Sequence, residues 1–139
     1  MNRRAVDPYR LNGDRGSITA FVAVIAFALV MVAGMAYDGG TVIATHLDAR
    51  AHAQKAARAG AQQIDQDTLR AADEIALDPD AATAAALTYL TQAGATGTVE
   101  ITGATITVTV TATAPLRILP GSDRTIVATN SATATGAPP

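Results

Sequence analysis

The sequence predicts an α+β chain: an N-terminal single transmembrane helix, an Ala-rich amphipathic helix, a short helix, and a small antiparallel β-sheet. Three observations predict it. Residues Ser17 to Tyr37 carry no charge. Residues 41–65 repeat small apolar side chains every three or four positions, the period of a helix. After Gly97 the period drops to two, the alternation of a strand with one face covered. The chain therefore divides into a basic leader (1–16), a membrane helix (17–37), a helical stalk (38–94), a β-hairpin plus a third strand (95–135), and a frayed tail (136–139).

The charge-free stretch is apolar around its whole circumference, which suits lipid rather than a half-buried surface. A helix of that length covers roughly 31 Å, the thickness of a bilayer's hydrocarbon core. Its flanks set the orientation. Arg3, Arg4, Arg10 and Arg15 precede it, whereas Arg50 and Lys55 are the first basic residues after it. Excess arginine stays on the cytoplasmic side, so the leader is expected inside and everything from about residue 38 outside. Three fates stand open for this segment. It is a permanent anchor, a secretory signal removed near Ala36, or an anchor trimmed after Gly16 so that Ser17 becomes the new N-terminus.

The second helix, "TVIATHLDARAHAQKAARAGAQQID", has a packing stripe of Ala49, Ala53, Ala56, Gly60 and Ile64, with Arg50, Lys55, Arg58 and Gln62 opposite. A stripe of small residues admits another backbone closely but buries little area per residue. Gly39-Gly40 leaves open a kink or one continuous rod. Asp67 is expected to cap a short turn over 68–77. Asp78-Pro79 marks a helix start, an N-cap aspartate with proline in the first turn, and Gly94 its stop. Leu87, Leu90, Ala86, Ala93 and Tyr89 are its expected apolar side.

In "TVEITGATITVTVTATAP" the pair Gly103-Ala104 fits a two-residue hairpin loop with glycine first. The register then sets Ile101 against Ile106 and Val99 against Val108, with Glu100 opposite Thr107. All aliphatics fall on one face and all polar residues on the other. Pro115 ends the strand, and "RTIVATNSATAT" supplies a third strand with Ile126 and Ala128 on one face.

Composition limits what these parts can do. From Thr41 onward there are nineteen Val, Ile and Leu, one tyrosine (Tyr89), and no Phe, Trp or Met. A core that thin is marginal in a domain of about a hundred residues, so the soluble part is expected either to hold a thin core or to complete it against a partner. The absence of cysteine excludes disulfides and thiolate metal sites. A net charge of −2 speaks against a nucleic-acid partner.

The ordered set of "DRGSITAFVAV", "AGMAYDGG", "ARAHAQKAARAGAQQID", "TVTVTATAPLRILPG" and "IVATNSATAT" resembles the TadE/TadG-like pseudopilins of tight-adherence (Flp-type) pilus assembly, actinobacterial type, over roughly residues 14–135. The resemblance implies a pilin-like architecture and a non-enzymatic subunit of the cytoplasmic (inner) membrane. Its globular part would face outward, with other pilin-like subunits and Tad-type platform proteins as partners. It also implies inspection of Gly16 and Ser17 as a prepilin-type cleavage site. Processed members carry a glutamate at the fifth position after the cleaved glycine. Here that position is Phe21, and no carboxylate occurs from 17 to 37, which favours the uncleaved, TadG-like sort.

No constellation for chemistry emerges. His46 and His52 are six apart, the wrong spacing for a metal pair on one helical face. Asp65, Asp67, Asp73, Glu74, Asp78 and Asp80 lack the glycine and ligand spacing of a calcium loop. Ser17 and Ser122 have no base nearby in sequence, and no Gly-rich phosphate loop is present. No catalytic residue, cofactor, metal or small-molecule substrate is expected. Asp38 stands at the exit from the membrane helix, as a boundary marker or as a partner for a cation on a neighbouring subunit.

Overall fold

The computed structural model describes residues 15–72 and 75–135. The arginines at 3, 4 and 10, the acidic pair Asp73-Glu74 and the tail from 136 lie outside the described residues. The element order is α1 (Arg15–Ala61), α2 (Gln66–Ala72), α3 (Pro79–Gln92), β1 (Thr96–Thr102), β2 (Thr105–Ala114) and β3 (Arg124–Thr133). This is the α+β class that the sequence predicts.

The segments expected as a membrane helix and a stalk helix are one rod. α1 runs for 47 residues through Gly39 and Gly40 without a break, about 70 Å at the rise of an α-helix. Between Pro8 and Pro79 there is no proline, and proline is the usual cause of a sharp kink. Two glycines cost the helix roughly 1 kcal/mol each relative to alanine, which the contacts above and below them offset.

The rod ends earlier than its periodicity suggests. Ile64 falls past the C-terminus of α1 and forms an isolated antiparallel bridge with Leu77. The backbone closes this loop on itself, Asp65 donating to Ala76 and Asp78 to Gln63, each at 3.0 Å. The next helix is capped by Asp65 rather than by Asp67. Asp65 Oδ1 accepts from the amides of Asp67 (2.9 Å) and Thr68 (3.3 Å), and its Oδ2 accepts from the Thr68 hydroxyl at 2.6 Å. Asp67 sits within the first turn and pairs with Arg70 on the exposed surface.

α3 starts as its sequence dictates. The Asp78 carboxylate accepts from the amides of Asp80 and Ala81, and Gly94, at φ 65, ends the helix in the left-handed region that glycine tolerates. Ala82, Ala86 and Leu90 are its buried side. Leu87 and Ala93 are exposed and Tyr89 is half-buried, so the buried stripe sits one turn nearer the N-terminus than expected.

The hairpin keeps its predicted register. Ile101 faces Ile106, Val99 faces Val108 and Glu100 faces Thr107, across a turn whose Gly103 has φ 59. β3 joins the other edge of β2, so the sheet order is β1-β2-β3, antiparallel throughout. Ile106, Val108 and Val110 point to the helices and are almost fully buried. The opposite face is a lawn of threonines, tied across strands by Thr105–Thr133 and Thr109–Thr129 hydroxyl contacts at 3.0 Å.

The core lies between that sheet, the upper half of α1, and α3. Its members on α1 are alanines, which is why the sheet can approach so closely. Beside Gly60 the space a Cβ would take is occupied by Ile106 Cδ1, with the Ala82 carbonyl oxygen at 2.9 Å. The sheet's apolar face is therefore covered by this chain's own helices. The alanine stripe is used internally.

Candidate functional site

The site is the base of the domain, where α1 leaves the core and the β2–β3 loop (residues 115–123) folds back against it. About three turns of α1 build one wall. Gly34 and Asp38 are buried and Val42 and Thr45 half-buried, spaced three or four apart, so the stripe that begins at Gly60 continues down to Gly34 on one face. The loop supplies the other wall. Ile118 fills the space that a Cβ on Gly34 would need.

Asp38 holds these walls together. Its side chain is fully buried. Oδ1 accepts from the Arg117 amide at 3.0 Å, and Oδ2 from the amides of Ile118 at 3.1 Å and Leu119 at 2.7 Å. Three amide dipoles converging on one carboxylate replace the water it has lost, which is what a buried charge requires. The sequence offers Asp38 as a boundary marker or as a partner for a cation on a neighbouring subunit; within the chain its hydrogen-bond partners are three backbone amides. The carboxylate is fully buried within this chain. No ion pair joins Asp38 among the described residues.

Beside the clamp, an apolar groove of about 560 Å³ opens between Met35, Val42 and Ile43 on α1 and Leu116, Leu119 and Ile126 on the loop and β3. Below it, α1 stands free. Ile18, Phe21, Val24, Phe27, Leu29 and Val32 are each more than half exposed and lie on every side of the helix. This is the one helix among the described residues that is long and apolar enough to cross a membrane.

The remaining sequence-predicted residues fall as follows. Gly16 and Ser17 lie in the first turn of α1, and Phe21 is exposed a turn further on. Ala49, Ala53 and Ala56 are buried in the core and Gly60 with them. Ile64 packs against that core from the loop after α1 rather than from the helix. His46 is exposed, while His52 Nδ1 lies 3.3 Å from the Tyr89 hydroxyl, a contact between α1 and α3. Among the described residues, no group of three or more His, Cys, Asp or Glu converges as a metal site.

What sequence reasoning missed is the loop. "PLRILPG" reads as a turn between strands, and nothing in it announces that its amides are ligands for a carboxylate. The available signal was that the charge-free stretch ends on an aspartate followed by two glycines. Such a residue lies where a helix face must change from lipid to protein.

Comparison with curated proteins and with solved structures finds no match to this chain. Comparison with protein families finds one: residues 16–63 match the family described as putative Flp pilus-assembly TadE/G-like. The matched segment is α1 almost from end to end, taking in the exposed apolar half, Asp38 and the alanine stripe. The resemblance read from the sequence thus has a family match along α1, and over residues 16–63 this chain is similar to TadE/G-like Flp pilus-assembly proteins.

Proposed function

We propose that this protein is a non-enzymatic, membrane-anchored pseudopilin or pilus-assembly component of a Tad (Flp) pilus or a related secretion system. The observation that carries the reading is the division of one family-matched helix into two halves. The lower half exposes large aliphatics in every direction, and the upper half buries alanines against a small sheet. The lower half suits a single pass through the cytoplasmic membrane. With arginines before it and few basic residues after it, the N-terminus is cytoplasmic and the domain extracytoplasmic. The partners in this reading are other pilin-like subunits and Tad-type platform proteins, met through the exposed helix inside the bilayer and the threonine-rich sheet face outside it. A prepilin-type cut between Gly16 and Ser17 would leave α1 whole but for its first two residues. Phe21 in the place of glutamate supports the uncut form.

The test is the intact mass of the native protein, taken from membrane and medium fractions of cells, together with pilus production in cells lacking the gene. The expected result is an alkali-resistant membrane species that retains residues 1–16, and loss of pili in the deletion. A membrane species starting at Ser17 would make it a processed subunit. A soluble species starting near Tyr37 would replace the reading with that of a small secreted binding domain. Normal pili in the deletion would remove the assembly role.

A further inference from the structure

We propose that the β2–β3 loop is a second membrane contact, seated in the leaflet on the domain's side with Ile118 among the acyl chains and Arg117 at the level of the lipid phosphates. This rests on the reading of α1 as a membrane anchor, because the helix fixes the depth at which the loop lies.

Depth is the first argument. Ile118 packs beside Gly34, and Gly34 lies three residues inside the charge-free stretch that ends at Tyr37, about 4.5 Å along the helix axis. If the stretch fills the hydrocarbon core, the tip of the loop lies below its boundary. Tyr37, 55% exposed, stands at that boundary, where tyrosine rings concentrate.

Surface chemistry is the second. Ile118, packed at Gly34, is 47% exposed, and Met35, the next residue on α1, is 59% exposed, so the loop tip extends the apolar surface of the lower helix rather than interrupting it. The charged residue within the tip is Arg117, and it is exposed. Its long stem allows the guanidinium to reach the headgroups while the backbone sits lower. Arg124, at the start of β3, adds a second cation beside the same groove.

The third argument is the backbone. Irregular chain at membrane depth survives only where its polar groups find partners within the protein. Pro115 and Pro120 have no amide hydrogen. The amides of Arg117, Ile118 and Leu119 are all taken by Asp38. Among residues 115–120, Leu116 is thus the one whose amide neither proline chemistry nor the clamp accounts for. A loop in water has no need of such closure, since solvent satisfies its amides. The clamp equips this loop for a medium that cannot.

The chain contains no tryptophan, so a single introduced one reports its own surroundings. The full chain is reconstituted in phosphatidylcholine–phosphatidylglycerol vesicles, with or without bromines on the acyl chains. Reporters are placed by Ile118→Trp, by Val24→Trp in the middle of the span, and by Ser131→Trp. Ser131 is an exposed position about 23 Å further up β3 from Arg124. The expected result is that Ile118→Trp emits to the blue and loses most of its emission to brominated lipid, as Val24→Trp does. Ser131→Trp should respond only to aqueous acrylamide.

If Val24→Trp is quenched by brominated lipid and Ile118→Trp by acrylamide, the loop proposal falls and the anchor stands. If Ile118→Trp is shielded from both quenchers, protein rather than lipid covers the loop, and the proposal falls again. If Val24→Trp itself escapes brominated lipid, the anchor reading fails and takes the loop with it. Should Ile118→Trp not melt like the parent, Pro120→Trp, which keeps Ile118 on Gly34, is read in its place with the same outcomes.

Discussion

The two halves of α1 share a backbone and differ in the size of their side chains. Below Gly34, Phe21 is 65% and Phe27 68% exposed; above Asp38, Ala53 and Ala56 are fully buried. The usual rule, large aliphatics inside and small residues wherever convenient, is inverted along a single helix. The inversion is physical. A helix in lipid gains from apolar bulk on every side. A helix that must lie close against a sheet gains from having none on the contact face, even though each alanine buries little area. Side-chain volume, more than hydrophobicity, tells the two environments apart here.

Breaking that difference should have the largest effect. Ala53→Leu forces a branched side chain into a closed seam and should destabilise the domain by on the order of 3 kcal/mol. Ala26→Leu, on the exposed lower half, should stay within about 0.5 kcal/mol. Denaturant unfolding in detergent micelles, followed by circular dichroism, checks both. Equal losses would mean that the lower half is packed too.

Glycines sharpen the same contrast with one substitution of opposite sign. At Gly60 a Cβ meets Ile106 and the Ala82 carbonyl, so Gly60→Ala should cost about 1–2 kcal/mol despite its better helix propensity. At Gly40 a Cβ meets nothing within 4 Å, so Gly40→Ala should stabilise by about 0.5–1 kcal/mol. The same melts decide.

The smallest effect is titration at the far end of the rod. Hydrogen bonds from the Thr68 hydroxyl, then from the amides of Thr68 and Asp67, hold the Asp65 carboxyl below the usual aspartate range, against a smaller opposing effect of burial. The unfolded chain therefore takes up this proton first. The stabilisation is fully present above the unfolded value near ~3.9 and fades as pH falls through the lower folded value. Wild-type melting temperature should drop below about pH 4, and Asp65→Asn should make that drop shallower. An unchanged slope would show that the cap adds nothing.

Much of this was legible in advance, for local reasons. The hairpin register follows from Gly103 and a strict alternation of valine or isoleucine with threonine, and α3 from Asp78-Pro79. The stripe on α1 was legible between Ala49 and Gly60 because alanine recurs at helical spacing. It was invisible below that, where its members are Thr45, Val42, Asp38 and Gly34 and no composition unites them. Gly39-Gly40 left the rod's continuity open, since propensity alone cannot say whether packing at both ends will carry a helix through. Asp65 and Asp67 are two apart, and only the geometry of the preceding bridge selects the first as the cap. The clamp was the least legible feature. Its acceptor is a side chain but its donors are backbone, and every sequence supplies amides.

The clamp also has a history within each molecule. Asp38 and its donors are separated by 79 to 81 positions, so the contact encloses most of the domain in a ring and belongs with the slow, non-local ones. A chain made from its N-terminus finishes the anchor when the donors at 117–119 do not yet exist. In that interval the carboxylate has no amide partners and must stay hydrated, which in the proposed anchor puts it at the surface of the bilayer. In the proposed anchor Asp38 would first serve as a depth stop and become a latch once residues 117–119 are in place.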